Sequence, residues 1–577
     1  MASPRGGIGF SIGAASLVAI GISRMATPGR PYVPVAVDAS ANAIRLGSLA
    51  AASLAPTEPR GACARVVEEL VAVAPNAKRD TDCEASFASF LERHGLCAAK
   101  PPAMHFLVAT VPDPLDSRLS AVFDQALNAL VLAAEKQGSL TDYWLPWLAD
   151  RNANRDSRLG LSVDMDGTTG ARKVRPHDGR CHEAWPGLIA FSKDDKLDAQ
   201  DDTILLLAGE LPTLGVRKDV LRRALRLAGP LSRQSQVNVV GPQFSGSAAS
   251  LRAALKSEIE AAAPGRLDVH VVSGSATRLF NQSLLTAVLP RGSISYEATV
   301  IPDSAVQSSF YQYLVDNGFS SPPGGCLLSN VAVLAEADTA YAQSFVSGPG
   351  PKNESCYRPK YVIDFPIHIS DVRSAWESEA SLREQTAQSS VLNVPITSVR
   401  VDLHERPDTL DDLPTFSTLT AASDERALSA ALGMLQENRV DVVGIVATDS
   451  RDKLFLAHAV HRTAPDAQLF LFESDELFTH PDYADVLRGT LVVGTYPLVT
   501  SNQFWAGRTE LGQVQERTQF DLNVAEGAYN AALIALGHSD KLYEYHWPLM
   551  PGLDIATLDR GRPPSGSRRW GSTLSGP

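Results

Sequence analysis

The stretch from Asn438 to Pro497, NRVDVVGIVATDSRDKLFLAHAVHRTAPDAQLFLFESDELFTHPDYADVLRGTLVVGTYP, admits few folds. Val440 to Val446 is β-branched and apolar, broken only by Asp441 and Gly444, which predicts a strand covered on both faces. Ala447-Thr448-Asp449-Ser450 then supplies a turn whose Asp or Ser caps a following helix. Leu454, Phe455, Ala457, His458 and Val460 recur at helical spacing, Pro465 stops the helix, and Gln468 to Phe472 and Leu491 to Val493 predict two further strands. Strand, helix and strand make a right-handed crossover unit of a parallel sheet. Such sheets hold ligands beyond the carboxyl ends of their strands, here Thr448-Asp449 and Glu473-Ser474-Asp475.

A chain of 577 residues is long enough for about two or three domains. Its formal charge of −13 argues against nucleic acid or an anionic membrane surface as the main partner. Gly6 to Ser23 is uncharged and flanked by Arg5 and Arg24. At about 18 residues it is at the lower limit for a bilayer span and also fits an uncleaved signal anchor, although its five glycines fit a Gly-rich leader as well. Residues 26 to 60 read as a Pro/Ala/Ser-rich linker.

The six cysteines, Cys63, Cys83, Cys97, Cys181, Cys326 and Cys356, contain no C-x-x-C pair of the kind zinc and redox sites use. Cys326 and Cys356 lie in Gly/Pro-rich loops on either side of a predicted strand and helix, where a disulfide and two separate buried thiols are both open readings.

Upstream, the same alternation begins at Met104. His105 to Thr110 is a strand, and the following VPDPLDS loop offers Asp116 or Ser117 as a helix cap. Leu119, Val122, Phe123, Leu127, Leu130 and Val131 mark one helical face. From Tyr143 to about Pro186 the chain is polar and poorly periodic, a functional loop or a disordered insertion; Tyr143, Trp144 and Trp147 read most simply as surface packing. Thr203 to Ala208 is a strand and Val216 to Leu227 a helix. Strand Val237 to Val240 runs into Gly241-Pro242-Gln243-Phe244-Ser245-Gly246-Ser247-Ala248. After helix Ala249 to Ala262, strand Leu267 to Val272 runs into Ser273-Gly274-Ser275-Ala276-Thr277-Arg278. Small hydroxyl residues and glycine at two successive strand ends leave backbone N–H groups accessible beside a helix N-terminus, which suits a carboxylate. The same residues also serve as an ordinary capped turn.

The order VGPQFSGSA, VVSGSATR, EATVIPDSAVQSSFYQYLVDNG and VAVLAEADTAYAQSF resembles the type I periplasmic binding-protein family, which includes branched-chain amino-acid binding proteins and receptor ligand-binding domains. LRGTLVVGTYP is similar to that family's return strand and FDLNVAEGAYNAALIALG to its late helix, so that the resemblance runs from Met104 to Gly537. It implies an α/β fold of two Rossmann-like lobes with parallel sheets joined by a hinge. On this reading 1–25 is a signal or anchor segment, and 26–103 a linker with a Cys-bearing region. Lobe one is 104–303, lobe two 304–495, and 496–577 returns to lobe one and ends in a tail. The N-terminal Cys region, the insertion near 148–186, the insertion Gly348 to Arg358, and Ala342 where the family has Gly all depart from the pattern.

Carried over by position, the resemblance implies ligand contacts from Ser245, Gly246 and Ser247 to a carboxylate, and from Ala276 and Thr277 at the second strand end. Tyr341 would cover the ligand, while Asp449 and Glu473 would face its ammonium group. The plain alternatives are a helix cap for Asp449 and a solvated loop carboxylate for Glu473. The sequence contains no phosphate loop, His-Glu-x-x-His or Gly-x-Ser-x-Gly elbow. His404-Glu405 and Cys181-His182-Glu183 lack metal partners at ligand spacing and read as polar loop residues. The expectation is therefore a non-enzymatic, cofactor-free periplasmic or extracytoplasmic solute-binding protein. Its ligand would be small and polar, in the manner of an amino acid, and its partner an ABC-transporter permease. A ligand-free envelope module is the alternative.

Overall fold

A computed structural model of the chain describes residues 62–73, 80–98, 102, 104–151, 180–193, 202–231, 236–261, 267–276, 284–321, 324–336, 339, 341–343, 356–366, 368–387, 401–404, 409–410, 417, 419–498, 519–542 and 553–558. The apolar segment Gly6 to Ser23 and most of the 148–186 insertion lie outside them. Among the described residues no helix is long and apolar enough to cross a membrane.

The first sheet is built from β1 (His105–Pro112), β2 (Ser139–Trp144), β3 (Gly187–Ser192), β4 (Thr203–Leu211), β5 (Gly215–Val216), β6 (Gln236–Val240), β7 (Leu267–Ser273), β8 (Ala287–Leu289) and β9 (Gly292–Ala298). Its order is β2-β3-β4-β1-β6-β7-β9-β8, with β5 paired to β4. The central run β4-β1-β6-β7-β9 is parallel throughout, and β1 and β4 are buried along almost their whole length. Strands covered on both faces lose the polar alternation of a half-exposed sheet. Here α5 (Lys218–Leu231) and α6 (Ala248–Ala261) contribute to the core on one face, together with α1 (Ala62–Val71) and α2 (Thr81–Arg93). α3 (Ser120–Ala134) packs against the late helix of the chain.

Part of the stretch expected to be irregular is strand. β2, which includes Tyr143 and Trp144, pairs antiparallel with β3 and extends the sheet past β4. Its short, partly exposed run has no clear period to betray it. Trp147 is buried against Phe123, and Trp144 and Trp185 pack on Phe87, so these aromatics serve packing.

Disulfides join Cys63 to Cys97 and Cys83 to Cys181, tying the N-terminal helices to each other and to the short helix α4 (Cys181–Ala184) of the first sheet's insertion. Cys326 is joined to Cys356.

The second sheet contains β10 (Leu327–Glu336), β11 (Arg358–Phe365), β12 (Val442–Val446), β13 (Gln468–Phe472), β14 (Leu491–Gly494) and β15 (Asp554–Thr557), in the order β11-β10-β12-β13-β14-β15. All neighbours are parallel except β15, which runs against β14. Helices α7 (Asp303–Asp316), α8 (Ile369–Ala387), α9 (Leu419–Glu437) and α10 (Ser450–Thr463) accompany it. The Val440–Val446 run becomes β12, all of whose residues are buried. Gly444 interrupts its apolar pattern for a packing reason: a Cβ there would lie 2.2 Å from the Phe470 ring.

Beyond the second sheet the chain divides. α11 (Asn523–Ala535) packs on α3, β6 and β7 of the first sheet, whereas β15 closes the edge of the second. The C-terminal part thus serves both sheets, because an apolar strand finds its partner at the open edge of β14.

Each sheet has a doubly wound core. Taking strands in chain order within each unit, β4-β1-β6-β7-β9 and β11-β10-β12-β13-β14 both follow the order 2-1-3-4-5. The crossings between them lie side by side. The Ile301 N–H donates to Thr495 Oγ1 at 3.1 Å, and the Tyr496 hydroxyl donates to Thr299 O at 2.7 Å.

Candidate functional site

In both sheets the strands β1, β6, β7, β10, β12 and β13 run parallel and end toward one cleft. The cleft is open to solvent, and a smaller hollow adjoins it beside the crossings.

The first wall is the turn after β6. Glu210, at the end of β4 and completely buried, accepts the N–H groups of Gln243 and Phe244 through one carboxylate oxygen, each at 2.8 Å. Burial pushes its carboxyl up to about 7, against the lowering effect of those donors. The Ser275 hydroxyl donates to Gln243 O at 2.5 Å, joining the ends of β6 and β7. With this turn held from below, Gln243, Phe244, Ser245, Gly246 and Ser275 line the cleft. Gly246 is required by space, since a Cβ there would lie 2.7 Å from Pro212 O.

The structure separates the expected first-wall residues. Ser245 and Gly246 face the cleft. Ser247 does not: it is fully buried, with its hydroxyl toward Leu211 O at 3.5 Å and its carbonyl accepting from Ser250. In the tight turn that opens α6, three residues make one revolution, and the third points back at the β4–β5 connection. Ala276 is buried under the Tyr296 hydroxyl, which donates to its carbonyl, so Ser275 lines the cleft in its place. Thr277 lies outside the described residues.

The second wall is made by Thr339, Tyr341, the N-terminus of α10 and the end of β13. Tyr341 and Glu473 border both the cleft and the adjoining hollow. Glu473 has a left-handed backbone (φ 65°), unusual for a residue with a Cβ, and its N–H is bonded to Val493 O at 2.8 Å. Burial pushes its carboxyl up, and the Lys453 ammonium at 3.7 Å pulls it back down. Lys453 is itself buried, donating to Phe472 O at 2.8 Å.

Asp449 is not among the residues lining the cleft. It caps α10 by accepting the Arg451 N–H at 2.8 Å, and its carboxylate is paired with Arg451 at 2.8 Å and Arg373 at 3.6 Å. Burial alone would raise this carboxyl; the two guanidinium groups overcome it and hold the group well below the ordinary range. Its neighbours Thr448, Ser450 and Lys453 face the cleft instead. Lys453 had a signal in the sequence: a lysine in the first turn of a helix opposes the helix dipole and calls for a local partner.

Ion pairs cross the cleft edge. Arg118, between β1 and α3, meets Glu336 at the end of β10 at 2.6 Å and Asp452 of α10 at 3.6 Å, all of them buried. In return Arg451 donates to Arg118 O at 2.9 Å. The second oxygen of Glu336 accepts the N–H and hydroxyl of Thr448 at 2.9 and 2.7 Å, linking this contact to the cleft wall.

His182 is no loop residue. It is buried between Asp150, 2.5 Å from Nδ1, and Asp116, 3.0 Å from Nε2, with Asp113 at 3.9 Å. Burial would lower its pKa, but these carboxylates raise it to about 9. Asp113, Asp116 and His182 are close enough to share a cation. Arg217 already pairs with both aspartates, however, and a charged imidazole has no lone pair for a metal. The partners come from the β1–α3 loop and the insertion, too far away in sequence for spacing to reveal. His404, by contrast, is partly exposed, 2.9 Å from Asp402; Glu405 lies outside the described residues.

No known family profile and no curated protein matches this sequence. Among solved structures, the chain is similar to a leucine-binding protein, LivK, of Thermotoga maritima, at 8% identity and a TM-score of 0.39, covering 79% of this chain and 96% of that one. It is also similar to a branched-chain amino-acid ABC-transporter periplasmic ligand-binding protein of Burkholderia xenovorans (10% identity, TM-score 0.36, 80% and 92% covered). A third is an ABC-transporter solute-binding protein of R. palustris solved with benzoate (9% identity, TM-score 0.35, 82% and 96% covered). With TM-scores this low, the architecture rests on strand order and register. Two doubly wound sheets of the same order, joined by adjacent crossings, give this chain a two-lobed α/β fold with parallel-rich sheets.

Proposed function

We propose that this protein is an extracytoplasmic solute-binding protein that closes its two lobes on a small polar ligand and presents it to a membrane partner such as an ABC-transporter permease. The observation that carries the reading is the cleft itself, whose walls come from the carboxyl ends of both sheets and whose lining combines hydroxyl groups with apolar side chains. Three disulfides fit an oxidising compartment. In this proposal Ser245, Gly246, Tyr341 and Glu473 border the ligand, with Gln243 and Ser275 added from the geometry and Lys453 paired to Glu473 behind them. Ser247, Ala276 and Asp449 support the walls, and Thr277 keeps the contact implied by its motif.

The second reading, a module that joins envelope partners without a ligand, is favoured by the ion pairs of Arg118, which already hold the lobes together. A thermal-shift screen of a metabolite library, followed by small-angle scattering with any hit, separates the two. A ligand that binds the native state alone raises the melting temperature. A library without a single stabilising compound supports the second reading.

A further inference from the structure

The acidic groups of the second wall are all engaged. Asp449 is paired with Arg451 and Arg373, and Glu336 with Arg118 and Thr448. Asp475 accepts the Leu477 N–H at 2.9 Å and is also bonded to the Ser450 hydroxyl. Asp303, in the adjoining hollow, is likewise not free. Glu473 alone among them borders both spaces and keeps a third of its side chain exposed, and its partner is Lys453.

Lys453 has no easy way to withdraw. Only 2% of its side chain is exposed, its ammonium is bonded to Phe472 O at 2.8 Å, and it lies 5.9 Å from the centre of the Phe478 ring. A ligand ammonium reaching Glu473 would meet this fixed cation at close range. Repulsion between like charges is strong where water is excluded. The cleft also offers apolar surface from Leu119, Val122, Phe244, Leu522 and Val524, together with the hydroxyl of Ser245.

We infer that Lys453 is a specificity-determining residue: as the internal counter-ion of Glu473 it reserves the cleft for carboxylates with an apolar body and no amino group. This rests on the solute-binding reading and narrows its ligand class. The carboxylate is held at the Ser245–Gly246 turn, the hydrocarbon lies on the apolar surface, and Glu473 stays with Lys453.

The test uses pairs of compounds that differ only in the amino group, 4-methylpentanoate against L-leucine and 3-phenylpropanoate against L-phenylalanine, by thermal shift and calorimetry on the full chain. At least one amine-free member should bind about tenfold or more tightly than its partner. Lys453→Met frees Glu473 and should reverse that order. Should Lys453→Met fail to fold, Glu473→Gln replaces it: the amine-free preference should then persist or grow. Equal or tighter binding of the amino acids by the native protein, or an unchanged ratio in Lys453→Met, overturns the inference and leaves the solute-binding reading standing. No binding of any of the four compounds also overturns it, while the metabolite library decides the solute-binding reading separately.

Discussion

At the scale of single residues, position in the sequence and direction of the side chain part company. Asp449 stands at a strand end, where ligand groups are expected, yet its carboxylate faces Arg373 and Arg451. Asp449→Asn retains an acceptor for the cap but removes a buried charge, so it should destabilise the fold by about 3 kcal/mol. Urea denaturation measures that loss, and ligand affinity should barely change. Its depressed carboxyl stabilises the fold above the ordinary aspartate range, and that contribution disappears as pH falls toward its folded value. His182 has the opposite sign. Its pKa is raised to about 9, so its stabilisation is fully present below its unfolded value of about 6.5 and is lost as pH rises through about 9. The melting temperature should therefore decline over that window more steeply in the native protein than in His182→Gln. Parallel curves for the two would remove the Asp150–His182–Asp116 contact from the explanation.

At the scale of elements, the loop between β1 and α3 does two jobs. Asp113 and Asp116 hold Arg217 and His182 within the first lobe, while Arg118 reaches the ends of β10 and α10 in the second. Arg118→Ala leaves Glu336 and Asp452 short of a buried partner, and a cost of about 3–5 kcal/mol is expected for such a loss. Because these contacts join the lobes, the variant should also have a larger radius of gyration in solution scattering without ligand. Unchanged dimensions would show that the crossings near Ile301 and Thr495 hold the lobes closed unaided. The Cys326–Cys356 disulfide closes a separation of 30 residues next to β10 and β11, for which chain entropy gives about 3–4 kcal/mol. Reduction should lower the melting temperature, and a non-reducing peptide map of exported protein should recover this pair along with Cys63–Cys97 and Cys83–Cys181.

At the scale of the whole molecule, the sequence by itself determined the two α/β units. The strands at His105, Thr203, Val237, Leu267, Val442, Gln468 and Leu491 are short apolar runs, each followed by turn chemistry. Burial on both faces and capping act over a few residues, so they leave a local trace. Ser245, Gly246 and the end of β13 were legible as cleft positions for the same reason, since a parallel sheet always presents its carboxyl ends. Tertiary structure alone decided which side chains enter the cleft. Ser247 turns inward by the pitch of a tight turn, and Lys453 reaches Glu473 only because α10 lies against β13. It also decided the disulfide partners, the second-sheet position of β15 and the setting of His182. Arg118 and Glu336 are 218 positions apart, and no local pattern encodes a contact whose geometry exists only once both lobes have folded.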